Sequence, residues 1–182
     1  MNINVYTEST PNPATMKFIV NKLLINGSVD YATKESAENS PFAKELYKFS
    51  FVNGVFFASN FVTITKTEGS DWEDLEPILK EFVKGAVESE LAVKLEAHVE
   101  ADFEGTDAEV KIQQILQDYV RPAVEQDGGA IAYKSFNDGV VTVELRGSCS
   151  GCPSSTVTLK AGIENLLKRM VPEVTEVVSE AM

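Results

Sequence analysis

The sequence predicts an α+β protein of two small mixed α/β domains, the second running α-β-β-α-β with a C-x-x-C motif at a strand-to-helix loop. Three observations carry this. Residues 1–90 hold short β-branched and aromatic runs punctuated by turn residues, together with two helix starts. An acidic stretch follows, and residues 106–182 then give a capped helix, a hairpin, a second helix and a last short strand. The domain limits that follow are 1–90, a linker at 91–105, and 106–182.

In the first domain, strands are expected at Ile3 to Thr7, Lys17 to Val20, Ser50 to Val52, Val55 to Ala58 and Phe61 to Lys66, with turns at Asn53-Gly54 and Ser59-Asn60. Ser40-Pro41 places a capping hydroxyl ahead of a proline at the first helical position and predicts a helix over Phe42 to Lys48. Ser70 with Glu73 reads as a capping box for a helix whose apolar face is Leu75, Ile78, Leu79, Phe82 and Val83, with Pro77 as a kink or a later start. Phe49, Phe51, Phe56, Phe57 and Phe61 are expected in the core, where most aromatic area is buried.

Between residues 86 and 109, Glu88, Glu90, Glu96, Glu100, Asp102, Glu104, Asp107 and Glu109 face one lysine, Lys94, which suits a linker or a solvated helix. His98, the one histidine, lies there, and an isolated imidazole in acidic surroundings is far more often solvated than a ligand.

Thr106 and Glu109 form a further capping box ahead of Val110, Ile112, Ile115, Leu116, Tyr119 and Ala123 at helical spacing; Pro122 is a possible kink and Asp127-Gly128-Gly129 the stop. Ile131 to Phe136 and Val140 to Arg146, joined by Asn137-Asp138-Gly139, read as a hairpin with Val141, Val143 and Leu145 inward. Pro153 opens a helix with Leu159, Ile163, Leu166 and Met170 as its buried stripe, and Pro172 ends it. Val174 to Val178 is the last strand, able to pair parallel to the hairpin through a βαβ crossover.

Composition narrows the function. The 182 residues carry a formal net charge of -12, which argues against nucleic acid and against anionic membranes, because both need a Lys/Arg surface. No run of about 18 apolar residues would span a bilayer. The two cysteines, Cys149 and Cys152, lie three positions apart and form no disulfide framework. With no targeting pattern at the start of the sequence, the expected setting is a reducing cytoplasm.

The chemistry lies in Gly147-Ser148-Cys149-Ser150-Gly151-Cys152-Pro153-Ser154-Ser155. Unsatisfied N–H groups and the dipole at a helix start stabilise negative charge, so thiols there gain thiolate character, as nucleophiles and soft metal ligands. Gly147 and Gly151 remove Cβ bulk near a bound group, and Ser148, Ser150, Ser154 and Ser155 offer donors to sulfur. A C-x-x-C alone admits disulfide redox chemistry, half a zinc site or half an iron-sulfur site. Both metal readings want four protein ligands, and one chain brings two cysteines. Two chains about a two-fold axis would bring four thiolates from two identical loops, holding the group at a surface junction from which it is easily released.

The run from Gly139 through Ser155, with Asp127-Gly128-Gly129 before it and Val157-Thr158-Leu159-Lys160 and Val171-Pro172-Glu173-Val174 after it, closely resembles the C-terminal domain of NifU-like (Nfu-type) iron-sulfur proteins. Thr10-Pro11-Asn12-Pro13, Met16-Lys17-Phe18, Ser40-Pro41, Val55-Phe56-Phe57 and Thr63-Ile64-Thr65-Lys66 resemble the N-terminal domain that accompanies it in many members. The resemblance implies a non-enzymatic scaffold or carrier holding an iron-sulfur cluster, [4Fe-4S] ahead of [2Fe-2S], between two protomers. Such a homodimer receives its cluster from upstream assembly proteins and passes it to apo client proteins. Cys149 and Cys152 match the family's ligand positions, whereas Ala130 stands where an acidic residue commonly follows the double glycine. The competing readings are a thiol-disulfide redox protein using the same two residues and a zinc-stapled dimer. A thioredoxin-like enzyme would carry its C-x-x-C after the first strand of a βαβ unit, commonly with an aromatic before it, and here Ser148 precedes Cys149.

Overall fold

The computed structural model describes residues 2–93, 103–149 and 153–181, with backbone alone at 153–155 and 181. The chain divides into two compact units, Met1–Glu100 and Ala101–Met182.

The first unit is an antiparallel sheet in the order β1-β2-β5-β4-β3, from β1 (Val5–Ser9), β2 (Thr15–Val20), β3 (Ser28–Tyr31), β4 (Val52–Ala58) and β5 (Phe61–Lys66). A 3₁₀ turn at Glu35–Asn39 precedes α1 (Pro41–Leu46), and α2 (Trp72–Glu88) follows β5. Strand alternation sends Phe18, Val20, Val55, Phe57, Val62 and Ile64 to one face, where they pack with Phe42 and Leu46 of α1 and Leu79 and Val83 of α2. Each such side chain contributes about 1.5–3 kcal/mol of burial. Phe56, Phe57 and Phe61 are buried, and Phe49 and Phe51 are half-buried against the core.

Five local features differ from the sequence reading. Asn53-Gly54 is a bulge inside a continuous β4, the register slipping between Val52 and Gly54, so the two strands expected around it are one. The edge strand β3 was not among the expected elements. α1 stops at Leu46, short of the expected Lys48, with Tyr47 as its C-cap; the Tyr47 hydroxyl donates to the Tyr31 carbonyl at 2.6 Å. Asp71 caps α2, accepting from the Glu73 N–H at 3.4 Å, and Ser70 pairs instead with Thr67 at 3.3 Å. Pro77 sits within an uninterrupted α2, and Ile78, expected on its buried face, is 48% exposed. Beyond α2 the chain stays with this core: Phe42 donates its N–H to the Ala92 carbonyl at 3.1 Å, Tyr31 its hydroxyl to the Val93 carbonyl at 3.1 Å, and Val93 is buried.

The second unit is a three-stranded sheet, β6 (Gly129–Asn137), β7 (Val140–Gly147) and β8 (Glu176–Ala181), in that order. β6 and β7 are antiparallel and β8 runs parallel to β7, as the crossover rule predicts. α3 (Asp107–Ile115), α4 (Arg121–Gln126) and α5 (Pro153–Met170) cover one face; Ile112, Ile115, Val124, Ile163 and Leu167 meet Val141, Val143, Leu145 and Val177. The Thr106–Glu109 capping box is present.

Between α3 and α4, residues Leu116–Val120 form a π-helical turn in which Arg121 donates its N–H to the Leu116 carbonyl, five residues back. Pro122 has no N–H for the carbonyl four residues earlier and its ring crowds that carbonyl, a conflict a widened turn relieves. The inserted residue shifts the apolar stripe by one position. Val120 and Val124 are therefore buried, while Tyr119 and Ala123, expected on the stripe, are exposed.

Candidate functional site at the β7 to α5 loop

β7 ends at Gly147, whose φ of 68° lies in the left-handed region, so glycine is needed there for conformation. The chain then reaches Ser148 and Cys149. Ser148 is buried, its hydroxyl donates to the Asp127 carbonyl, and its N–H reaches the Gly128 carbonyl at 3.3 Å. The serine expected to donate to sulfur is thus committed to the end of α4. The strand exit and the helix end are stapled together by backbone carbonyls that the turn at Gly128, φ 81°, turns toward the loop.

Cys149 is 5% exposed and belongs to the apolar cluster that holds Ile112, Val141 and Leu145. On its far side, the Thr156 hydroxyl in the second turn of α5 donates to the Cys149 carbonyl at 3.1 Å. The Cys149 backbone therefore lies between the end of β7 and the start of α5, a helix of 18 residues, while its thiol packs in the apolar cluster against Gly129. Cys152, Ser150 and Gly151 lie outside the described residues, as do the side chains of Ser154 and Ser155 and the whole of His98. Among the described residues, no three His, Cys, Asp or Glu side chains gather as a metal site.

A further member of this site is Gly129. A Cβ built there would lie 2.7 Å from the Cys149 Sγ and 2.7 Å from the Arg146 carbonyl. The sequence reading took both glycines as a helix stop. The usable signal was that a stop needs one glycine, and a second one entering a strand marks close approach.

Ala130 is buried opposite Arg146 in the β6–β7 register. Arg146 Nε pairs with Glu144 Oε1 at 2.8 Å, and Lys134 Nζ lies 2.6 Å from Oε2. Glu144 is 2% exposed, and Arg146 and then Lys134 hold its carboxyl below the usual carboxylate range against the opposing effect of burial.

Two domain families match the two units: the scaffold protein Nfu/NifU N-terminal domain over residues 5–90, and the NifU-like domain over residues 112–178. Together they define a two-domain NifU-like protein. The chain belongs to the Nfu/NifU family. Among its relatives, the NFU1 iron-sulfur cluster scaffold homolog, mitochondrial, of Drosophila erecta is 38% identical over 179 residues, covering 95% of this chain. This chain spans 63% of that relative's length. The human protein of the same name is 40% identical over 175 residues, covering 93% of this chain and 69% of its own. A solution NMR structure of a NifU-like protein from Saccharomyces cerevisiae overlaps 52% of this chain and 86% of that one, at 17% identity and a TM-score of 0.44.

These relatives overturn the expected cytoplasmic setting, since both are named mitochondrial. That expectation leaned on the start of the sequence, and relatives longer than this chain remove the ground for it. No helix among the described residues is long and apolar enough to cross a membrane.

Proposed function

We propose that this protein is an iron-sulfur cluster scaffold or carrier, a binding protein whose cargo is the cluster. Cys149 and Cys152 supply thiolate ligands, and two protomers share one cluster, [4Fe-4S] ahead of [2Fe-2S]. The loaded homodimer accepts its cluster from upstream assembly proteins and gives it to apo client proteins.

The observation that carries this reading is Cys149 at the junction of β7 and α5, with Cys152 one residue before the helix start at Pro153. The donor set fits the cargo: thiolate sulfur is the soft ligand that iron-sulfur clusters take, and a helix N-terminus offsets its charge. Two cysteines per chain leave a four-ligand site half complete, which is the argument for a second copy. The names of the relatives, iron-sulfur cluster scaffold homologs, support the same role.

Anaerobic reconstitution with iron and sulfide, followed by absorption spectroscopy and metal analysis, tests it. Wild type should take up both elements, and C149S or C152S should retain neither. Stoichiometric zinc without iron uptake, or wild-type iron and sulfide in the double variant, would overturn it.

A further inference from the structure

Glycine at position 129 is not required by its backbone. Its φ is not among the positive values that Gly128 and Gly147 adopt, so any residue could hold this conformation. What it supplies is space. A Cβ there would meet the Cys149 Sγ and the Arg146 carbonyl at 2.7 Å each, and the Cys149 Cβ at 3.1 Å, all inside normal van der Waals separation. Around Gly85 of α2 and Gly162 of α5 nothing lies within 4 Å; Gly54, Gly105 and Gly139 are also crowded, but by Thr65, Glu109, Glu173 and Thr175, so Gly129 is the described glycine that abuts the thiol.

The neighbouring chain cannot easily yield. Gly129 pairs with Gly147 across the β6–β7 ladder, so the wall belongs to a sheet. Ser148, next to the thiol, is held to the Asp127 and Gly128 carbonyls immediately before that wall. Cys149 is pinned from the helix side by the Thr156 hydroxyl on its carbonyl. The backbone that carries the sulfur is thus held on either side, by Ser148 and by Thr156, with the sulfur against the glycine.

We propose that Gly129 is a positioning residue whose missing side chain forms the seat of the Cys149 thiol and sets where that sulfur stands relative to the start of α5. The proposal rests on the scaffold reading above and adds to it the residue that orients one ligand. A ligand held in place before the cluster arrives loses less freedom on binding than one that searches a loop.

The test uses the full chain and G129A, with G162A as the control for adding a methyl where there is room. In a C152S background, iodoacetamide reports on Cys149 alone; with both cysteines present, iron and sulfide retained after anaerobic reconstitution report on loading. G129A should keep the wild-type far-UV circular dichroism, label about tenfold faster because the unseated thiol is reached without local opening, and retain less than half the wild-type cluster. G162A should match wild type in both. Labelling or loading of G129A that matches G162A overturns the proposal. Should G129A not fold, G129A/C149A decides: a folded double variant supports the seat, because deleting the sulfur relieves the clash, and an unfolded one assigns the clash to the Arg146 carbonyl and overturns it. A wild-type chain that takes no cluster defeats the scaffold reading and the positioning role together, whereas failure of G129A to differ from a wild type that loads defeats the positioning role alone.

Discussion

The Tyr133 hydroxyl donates to Glu109 Oε1 at 2.9 Å while Oε2 of the same carboxylate accepts from the Thr106 N–H at 2.8 Å, so one side chain closes the cap of α3 and ties it to β6. The Thr106 N–H, then Tyr133, hold the Glu109 carboxyl below its usual range. Burial first, and the bond to Glu109 next, push the Tyr133 phenol up to about 12. A lowered carboxylate contributes stability above its unfolded value and loses it as pH falls through the folded one. E109Q and Y133F should therefore each lower the melting temperature of the second unit at pH 7. The E109Q deficit should shrink below about pH 4, where the unfolded carboxyl is itself protonated. Thermal melts of wild type and both variants from pH 3 to 7 check this; a deficit independent of pH would contradict it.

The ion group around Glu144 makes a second prediction. Its carboxylate is buried, but Lys134 and Arg146 keep 47% and 27% of their side-chain surface exposed and can turn to water when their partner is lost. The cost of E144Q should accordingly fall short of that for breaking a fully buried pair, at about 1–2 kcal/mol. The folded carboxyl is held low, so wild type keeps this advantage above the unfolded value near 4.3 and gives it up as pH falls below it. Urea titrations at pH 7 and pH 3 would show the gap between wild type and E144Q narrowing in acid.

Leu167, fully buried on α5 against the sheet, is the place to unsettle the second unit by itself. L167A should cost about 3 kcal/mol through lost burial and the cavity left behind. The two units have separate apolar cores, so the loss should appear in one transition and leave the other in place. A fragment of residues 103–182 should likewise fold and accept a cluster. Calorimetry of the full chain, and reconstitution of the fragment, check the two statements; a single transition displaced as a whole by L167A would argue that the units melt as one.

Much of this architecture was legible because local chemistry and tertiary packing agree. Capping by Thr106, the Ser59-Asn60 turn, the inward alternation of Val141, Val143 and Leu145, and the parallel last strand all follow from short-range pattern. Two of the departures come where one residue is added to a regular element. A bulge at Asn53-Gly54 imitates a hairpin turn, because both use the same residue types. The π turn before Pro122 moves the buried stripe from Tyr119 to Val120, which no strict helical period anticipates. At the site, the motif names Cys149, but its burial against Gly129 depends on a contact across 20 residues of chain and cannot be read from spacing.

The last prediction couples cluster content to association. Each chain carries a formal charge of -12, so two copies repel, and an anionic cluster does not cancel that repulsion. In the proposed shared site the bonds from four thiolates to one cluster would be made only in the pair, so by mass action loading should favour the dimer and chelation should release protomers. Added salt screens the repulsion and should slow separation after the cluster is removed. Sedimentation of the full chain before and after anaerobic chelation, at low and high salt, measures the coupling. A chain that holds four irons while sedimenting as a monomer would show the cluster to be completed by ligands from outside the protein, and the shared site would then be wrong.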